Sequence, residues 1–166
     1  LTWRVWEIIL GALWFYGAIA LPYGFRSGFL HFSVAGFRHL LHPIWLLQLF
    51  IMPALLEEGI FRVLLLPHPL EGVSLMRWLL WTGLSLTIFV LYHPLNAILF
   101  YPAGRGTFWD QRFLLLALLL GIVCSSVYAM TGSLWAIALI HWIVVIVWLQ
   151  VLGGQYHLHN QQSLVL

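Results

Sequence analysis

Charge is the scarcest property of this 166-residue chain. Only 7% of its residues are charged, against about 25% in a soluble domain. With 63% hydrophobic residues and a mean hydropathy of +0.98, that shortage excludes a soluble globular protein and implies an integral membrane one. Lysine is absent, and the seven basic residues are all Arg. The five acids are Glu7, Glu57, Glu58, Glu71 and Asp110, so the formal +2 is too small for a nucleic-acid partner. The high isoelectric point reflects missing acids, not a basic patch. Cys124 is the single cysteine, which excludes an internal disulfide or a cysteine metal cage. Its apolar surroundings read as packing for a small hydrophobe.

Apolar runs are what the chain has in quantity. Taking about 20 residues per crossing, five spans are expected: Val5–Leu21, Ile44–Leu66, Arg77–Phe100, Phe113–Met130 and Leu134–Leu152. Pro22, Pro67, Pro69, Pro102 and Gly132 punctuate their junctions. The expected fold is an all-α polytopic transmembrane bundle of about five spanning helices, one domain over residues 1–166, with a bilayer as its solvent.

Residues Phe25 to His42 mix Phe29, Leu30 and Phe37 with Arg26, His31, Arg38 and His39. They are too polar to cross and too apolar for open water, so an interfacial amphipathic segment, or one packed over the bundle, is expected. The loop Tyr101–Gln111 reads as a connector, since its lone Arg105 and its glycines lack the spacing of a phosphate cradle. Trp3, Trp78 and Trp109 fall near span ends, as in the aromatic belts of a bilayer. Arg26, Arg38, Arg105 and Arg112 outnumber Arg4 and Arg77 across the bundle, which favours a cytoplasmic side for the 25–42 and 101–112 loops. The chain starts at Leu1, inside an apolar segment, as a trimmed N-terminus would. The polar tail after Gly153-Gly154, with His157 and His159, reads as a frayed end.

Against this background three charges in one apolar run stand out. Glu57, Glu58 and Arg62 lie within Ile44–Leu66. Unpaired at mid-bilayer, each would cost roughly 2.5–3.5 kcal/mol. Glu58 and Arg62, at i and i+4, share a helical face and can pair, with the acid on the favourable side. Glu57 points about 100° away, without a partner in its own helix. His93 and His141 lie inside two other spans. Polar groups at that depth must face protein or a wet cavity, so Glu57, His93 and His141 can meet at one buried point. Pro94 directly follows His93 and removes the bond to the Val90 carbonyl. A carboxylate and an imidazole in a low-dielectric pocket suit general-base activation of water, and a second imidazole can stabilise an oxyanion. Acyl transfer to water, or peptide hydrolysis, is the reaction class this favours.

These residues resemble a known family. Glu57-Glu58-Gly59-Ile60-Phe61-Arg62 is similar to the Glu-Glu-x-x-x-Arg motif of the CPBP family, the type II CAAX prenyl endopeptidases and the bacteriocin-processing, Abi-like proteins. Phe89 to His93 matches its Phe-x-x-x-His motif, and His141 stands where the third motif begins. The resemblance implies a glutamate-dependent intramembrane endopeptidase without a cofactor or metal. Glu57 and His93 would activate water, His141 would help hold the oxyanion, and Arg62 would orient the acidic pair. It also implies a membrane-embedded or lipidated peptide substrate and a multi-pass location in a bacterial inner membrane or an equivalent one. The third motif usually ends in Asn or Asp four residues after its His, whereas this chain has Val145. One expected donor is therefore missing, and Asn96, a turn beyond His93, is the accessory candidate beside Phe89.

Three other readings compete. A membrane scaffold or pseudoprotease would keep the polar core for packing. A haem protein would use His93 and His141 as axial ligands. Metal-assisted hydrolysis would recruit Glu57, His93 and His141 as zinc ligands.

Overall fold

A computed structural model describes residues 1–33 and 42–159. Its elements are helical, and no strand occurs among the described residues. The first helix, α1, spans Trp3–Arg26. A short α2, Pro43–Leu49, follows. The acidic segment then runs in wide, π-type turns over Phe50–Leu55, one α turn over Leu56–Glu58 (α3), and π-type turns again over Gly59–Leu64. Next come α4, Leu75–Leu99, the short α5, Arg105–Phe108, α6, Gln111–Thr131, α7, Leu134–Gln150, and α8, Gly154–His159.

The molecule is an all-α membrane helix bundle. Helices α1, α4 and α6 are long and apolar enough to cross a bilayer, and α7 is a shorter apolar helix of 17 residues. Side-chain caps set several of their starts. Ser74 accepts a hydrogen bond from the Arg77 amide, Asp110 from Arg112, and Ser133 from Ala136, each satisfying a donor that has no partner in the first turn. Gly132 ends α6 at φ 62°, a left-handed cap that glycine adopts without a Cβ penalty. With Ser133 it turns α6 directly into α7.

That hairpin is the centre of the bundle. Helix α6 packs against α1, α4 and α7, and α7 packs against α1 and the acidic segment. The main core joins Ile9 of α1 to Leu120, Val123, Cys124, Val127 and Tyr128 of α6 and to Ala136, Ile137 and Ile140 of α7. Association in lipid depends on close packing, and Cys124 is one of the small side chains that allow it. Phe29 and Leu30, from the stretch expected at the interface, are buried with Ala20, Leu116 and Leu152. The rest of that stretch, from 34 to 41 with Arg38 and His39, lies outside the described residues.

Three expectations need correction. Ile44–Leu66 is not one straight span, because the backbone at Met52 is extended (φ −133°, ψ 118°) between two helical pieces. Pro53 is the cause: it disfavours helical geometry in the residue before it and donates no hydrogen bond. Stacking of Phe50 on Trp135 and a 2.9 Å bond from the Trp142 indole to the Leu46 carbonyl hold the broken segment on α7. Pro22, expected at a junction, lies inside α1, which continues to Arg26. One missing backbone donor near a helix end costs little regular structure. The part of the tail that is described, Gly154–His159, is helical, and residues 160–166 lie outside the described residues. Helix α8 docks through a 2.7 Å contact of His157 Nε2 with the Phe29 carbonyl and a 3.0 Å bond from Thr107 Oγ1 to the His157 carbonyl.

Candidate active site

The acidic segment delivers its charges to the middle of the bundle. Glu58 and Arg62 are fully buried, and Glu57 is 8% exposed. Arg62 reaches both oxygens of Glu58 at 3.4 Å, through Nη1 and Nε. This is the pair expected from their spacing. Phe89 of α4 lies under the guanidinium, with Cζ 4.2 Å from the ring centroid, so a cation–π contact covers the face that Glu58 leaves open. On the far side Arg62 meets Gly121 of α6, where a side-chain carbon would lie 2.6 Å from Nη2. Glycine is required there for the two helices to approach.

His141 of α7 bridges the two acids. Its Nδ1 lies 2.7 Å from Glu58 Oε1 and its Nε2 lies 3.8 Å from Glu57 Oε2. Glu58 therefore holds the imidazole as well as Arg62, a second partner that its position four residues before Arg62 does not reveal. A carboxylate accepts from an N–H, so the short contact puts a hydrogen on Nδ1 and turns Nε2 toward Glu57.

His93 of α4 is held differently. Its Nδ1 is 2.9 Å from the Phe89 carbonyl, one turn back in its own helix. A carbonyl can only accept, so this contact also puts the hydrogen on Nδ1 and leaves Nε2 for another partner. Helix α4 continues past Pro94 to Leu99, so the proline does not end the helix that carries His93. Phe89 packs edge-on against both imidazoles, with ring centroids 4.9 Å from His93 and 6.4 Å from His141. One buried aromatic ring thus touches Arg62, His93 and His141.

A largely apolar cavity of about 710 Å³ opens beside this cluster. Glu57, His93, Asn96 and His141 line it, together with Phe89, Val145, Met52 and Pro53. Glu58 and Arg62 are not on its wall. The six charged or polar candidates thus divide into four that face a space able to hold a ligand, Glu57, His93, Asn96 and His141, and two that stand behind them. Among the described residues, no group of three or more His, Cys, Asp or Glu side chains is arranged to hold a metal ion.

Residues 39–147 match the family model described as type II CAAX prenyl endopeptidase, Rce1-like. The chain belongs to this family. Its match runs from before α2 into α7, and so includes every side chain of the cluster and the cavity residues Asn96 and Val145. Helices α1 and α8 lie outside it, although α1 packs directly on α6 and α7. Searches of the curated proteins and of the solved structures give no match. The family is one of CAAX-type membrane proteases, and the apolar helices agree with its membrane location.

Several supporting residues carry no chemical signal in the sequence. Gly121 is one glycine in a leucine-rich run, and its need to be glycine appears only when Arg62 is beside it. Ser85, fully buried, donates to the Phe61 carbonyl within the π-type turns and ties α4 to the acidic segment. A serine in a span is ordinarily a packing or hydrogen-bonding group, so only the fold singles it out.

Proposed function

We propose that this chain is an intramembrane endopeptidase that hydrolyses a peptide bond of a membrane-associated protein or peptide with water activated by Glu57 and His93. The observation that carries the reading is the shared cavity wall of Glu57, His93 and His141, drawn from three separate elements, with Glu58 and Arg62 behind it. The substrate carbonyl enters the cavity and water sits between Glu57 and the Nε2 of His93. Glu57 takes a proton as the water oxygen attacks, then returns it to the amine nitrogen as the C–N bond breaks. Negative charge develops on the carbonyl oxygen, where His141 is positioned by Glu58 to donate.

Charge counting supports this division of roles. Glu57 and Glu58 against Arg62 leave one net negative charge in a buried cluster. The N–H that His141 offers to an oxyanion is on Nε2, because Nδ1 is engaged with Glu58, and Nε2 lies 3.8 Å from Glu57 Oε2. The proton that the reaction moves is the water's, taken by Glu57, and is distinct from the one on Nε2.

Residues 1–166 act as one membrane domain crossed several times by the bilayer. The apolar cavity suits a substrate that is itself membrane-embedded or lipidated, and a farnesylated CAAX peptide is the first probe to use. In reconstituted vesicles, wild-type protein cleaves a quenched fluorescent form of that peptide. Glu57→Ala and His93→Ala each lower the rate by at least about 10²-fold, as expected for loss of an acid–base group, while the protein still accumulates. Cleavage at the wild-type rate by either variant refutes the mechanism. A scaffold would lose accumulation with these substitutions and would never cleave.

A further inference from the structure

The reaction proposed above places charge on a substrate oxygen, and His141 supplies one donor to it. Four residues after His141, one turn along α7, the cavity wall is Val145, which can donate nothing. The nearest turn on that side is apolar. Ile143, Val144 and Val147, which also line the cavity, can donate nothing either, so any second donor near His141 comes from another element.

We infer that Asn96 supplies it. Asn96 lies three residues after His93 on α4, so the two side chains share a helical face. It lines the same cavity as Glu57, His93 and His141. Its backbone is anchored, because its carbonyl accepts from the amides of Phe100 and Tyr101, both at 2.9 Å. Its side-chain amide makes no hydrogen bond among the described residues, so both N–H groups are available to a ligand. Tyr92 is the competing donor on α4. It also lines the cavity, but it precedes His93 by one position, about 100° round the helix, and its ring lies against Phe61 at 5.4 Å.

The inference rests on the protease reading and adds a substrate-touching residue to it. As the water oxygen bonds to the carbonyl carbon, the carbonyl π pair moves onto oxygen. The Asn96 N–H and His141 donate to that oxygen while Glu57 holds the water's proton. Collapse of the intermediate restores the carbonyl, breaks the C–N bond and delivers that proton to the leaving nitrogen. No other reactant is needed. A neutral amide suits this position because it stabilises the anion without protonating it.

The test measures kcat and KM in vesicles with the quenched farnesylated CAAX peptide for five proteins: wild type, Asn96→Ala, Asn96→Asp, Tyr92→Phe, and Asn96→Ala combined with Val145→Asn. Asn96→Ala lowers kcat by about 10²–10³-fold, the usual effect of deleting one oxyanion donor, with KM little changed. Asn96→Asp, nearly isosteric, replaces the amide donor by a carboxylate that only accepts and is as slow. The double variant regains kcat, because it returns an amide to the cavity from the facing helix; a merely structural role for Asn96 would not be rescued there. Unchanged kcat in both Asn96 variants, or a loss in Tyr92→Phe alone, overturns this inference while Glu57→Ala remains inactive and the protease reading stands. Absence of cleavage by wild type overturns both.

Discussion

Replacing Gly121 by alanine tests whether the guanidinium of Arg62 is pressed against α6. The added carbon would lie 2.6 Å from Arg62 Nη2, 2.8 Å from Leu86 Cδ2 and 3.3 Å from Phe89 Cδ1. Leu86 can rotate away. Arg62 cannot do so freely, because it is fully buried between Glu58 and the face of Phe89. If the site absorbs the methyl by local strain, overpacking costs about 1–3 kcal/mol. If Arg62 moves off Glu58, breaking the buried pair costs about 3–5 kcal/mol. Against either stands the intrinsic helical gain of alanine over glycine, about 1 kcal/mol. The net expectation is a loss of roughly 0–4 kcal/mol against wild type, and about 1–5 kcal/mol against alanine controls that keep the helical gain, which in a domain of this size lowers Tm by about 2–4 °C per kcal/mol. Intrinsic tryptophan fluorescence of the purified protein in detergent reads this directly. Gly11→Ala and Gly83→Ala are the controls, since a carbon added at either meets nothing within 4 Å, and both should match or exceed wild type. Because the displaced Arg62 also releases Glu58, and Glu58 holds His141, cleavage should fall with stability. If Gly121→Ala melts with the controls and cleaves normally, the close approach of Arg62 to α6 is wrong.

Two further outcomes follow from the same contacts. Arg62→Lys keeps the charge but loses the planar group that spans both oxygens of Glu58 at 3.4 Å and lies over Phe89; Tm and cleavage should both fall, and a variant equal to wild type in both would show that a point charge suffices. At the start of α6, the hydrogen bond from the Arg112 side chain to Asp110, Nη2 to Oδ2 at 2.6 Å, holds the aspartate below its ordinary value of 3.8. A depressed folded value stabilises the fold above 3.8 and loses that contribution as pH falls through the lower, folded value. Asp110→Asn keeps a capping acceptor and loses the pair, so its Tm should lie slightly below wild type at neutral pH and converge with it in acid; a constant offset across that range would contradict the assignment.

How far the sequence could be read depended on whether a feature was local. Helix content, the membrane setting and the Glu58–Arg62 pair all follow from spacing within one element, and the chain carries them openly. The break at Met52 was equally local, and Pro53 signalled it. Hydropathy hid it, because an apolar run that bends has the same composition as one that does not. Docking of α8 was hidden for a different reason. His157 and Gly154 are polar and small, and nothing about them announces the Phe29 carbonyl and Thr107 that receive the helix.

Sequence alone determined that this is a membrane protein with an acidic pair and two buried histidines that need partners, because the cost of stranding charge in lipid leaves few alternatives. It also determined the family, through motifs that lie in order along the chain. Which carboxylate meets which imidazole was decided only by tertiary structure. Glu57 and Glu58 are neighbours in sequence and chemically identical. What separates them is that Glu57 faces the cavity while Glu58 is enclosed by Arg62 and His141, and that difference is made by helices brought together across 83 residues of chain. The same holds for Gly121 and Asn96. Gly121 meets Arg62, and Asn96 reaches the cavity shared with His141, only because separate elements come together there.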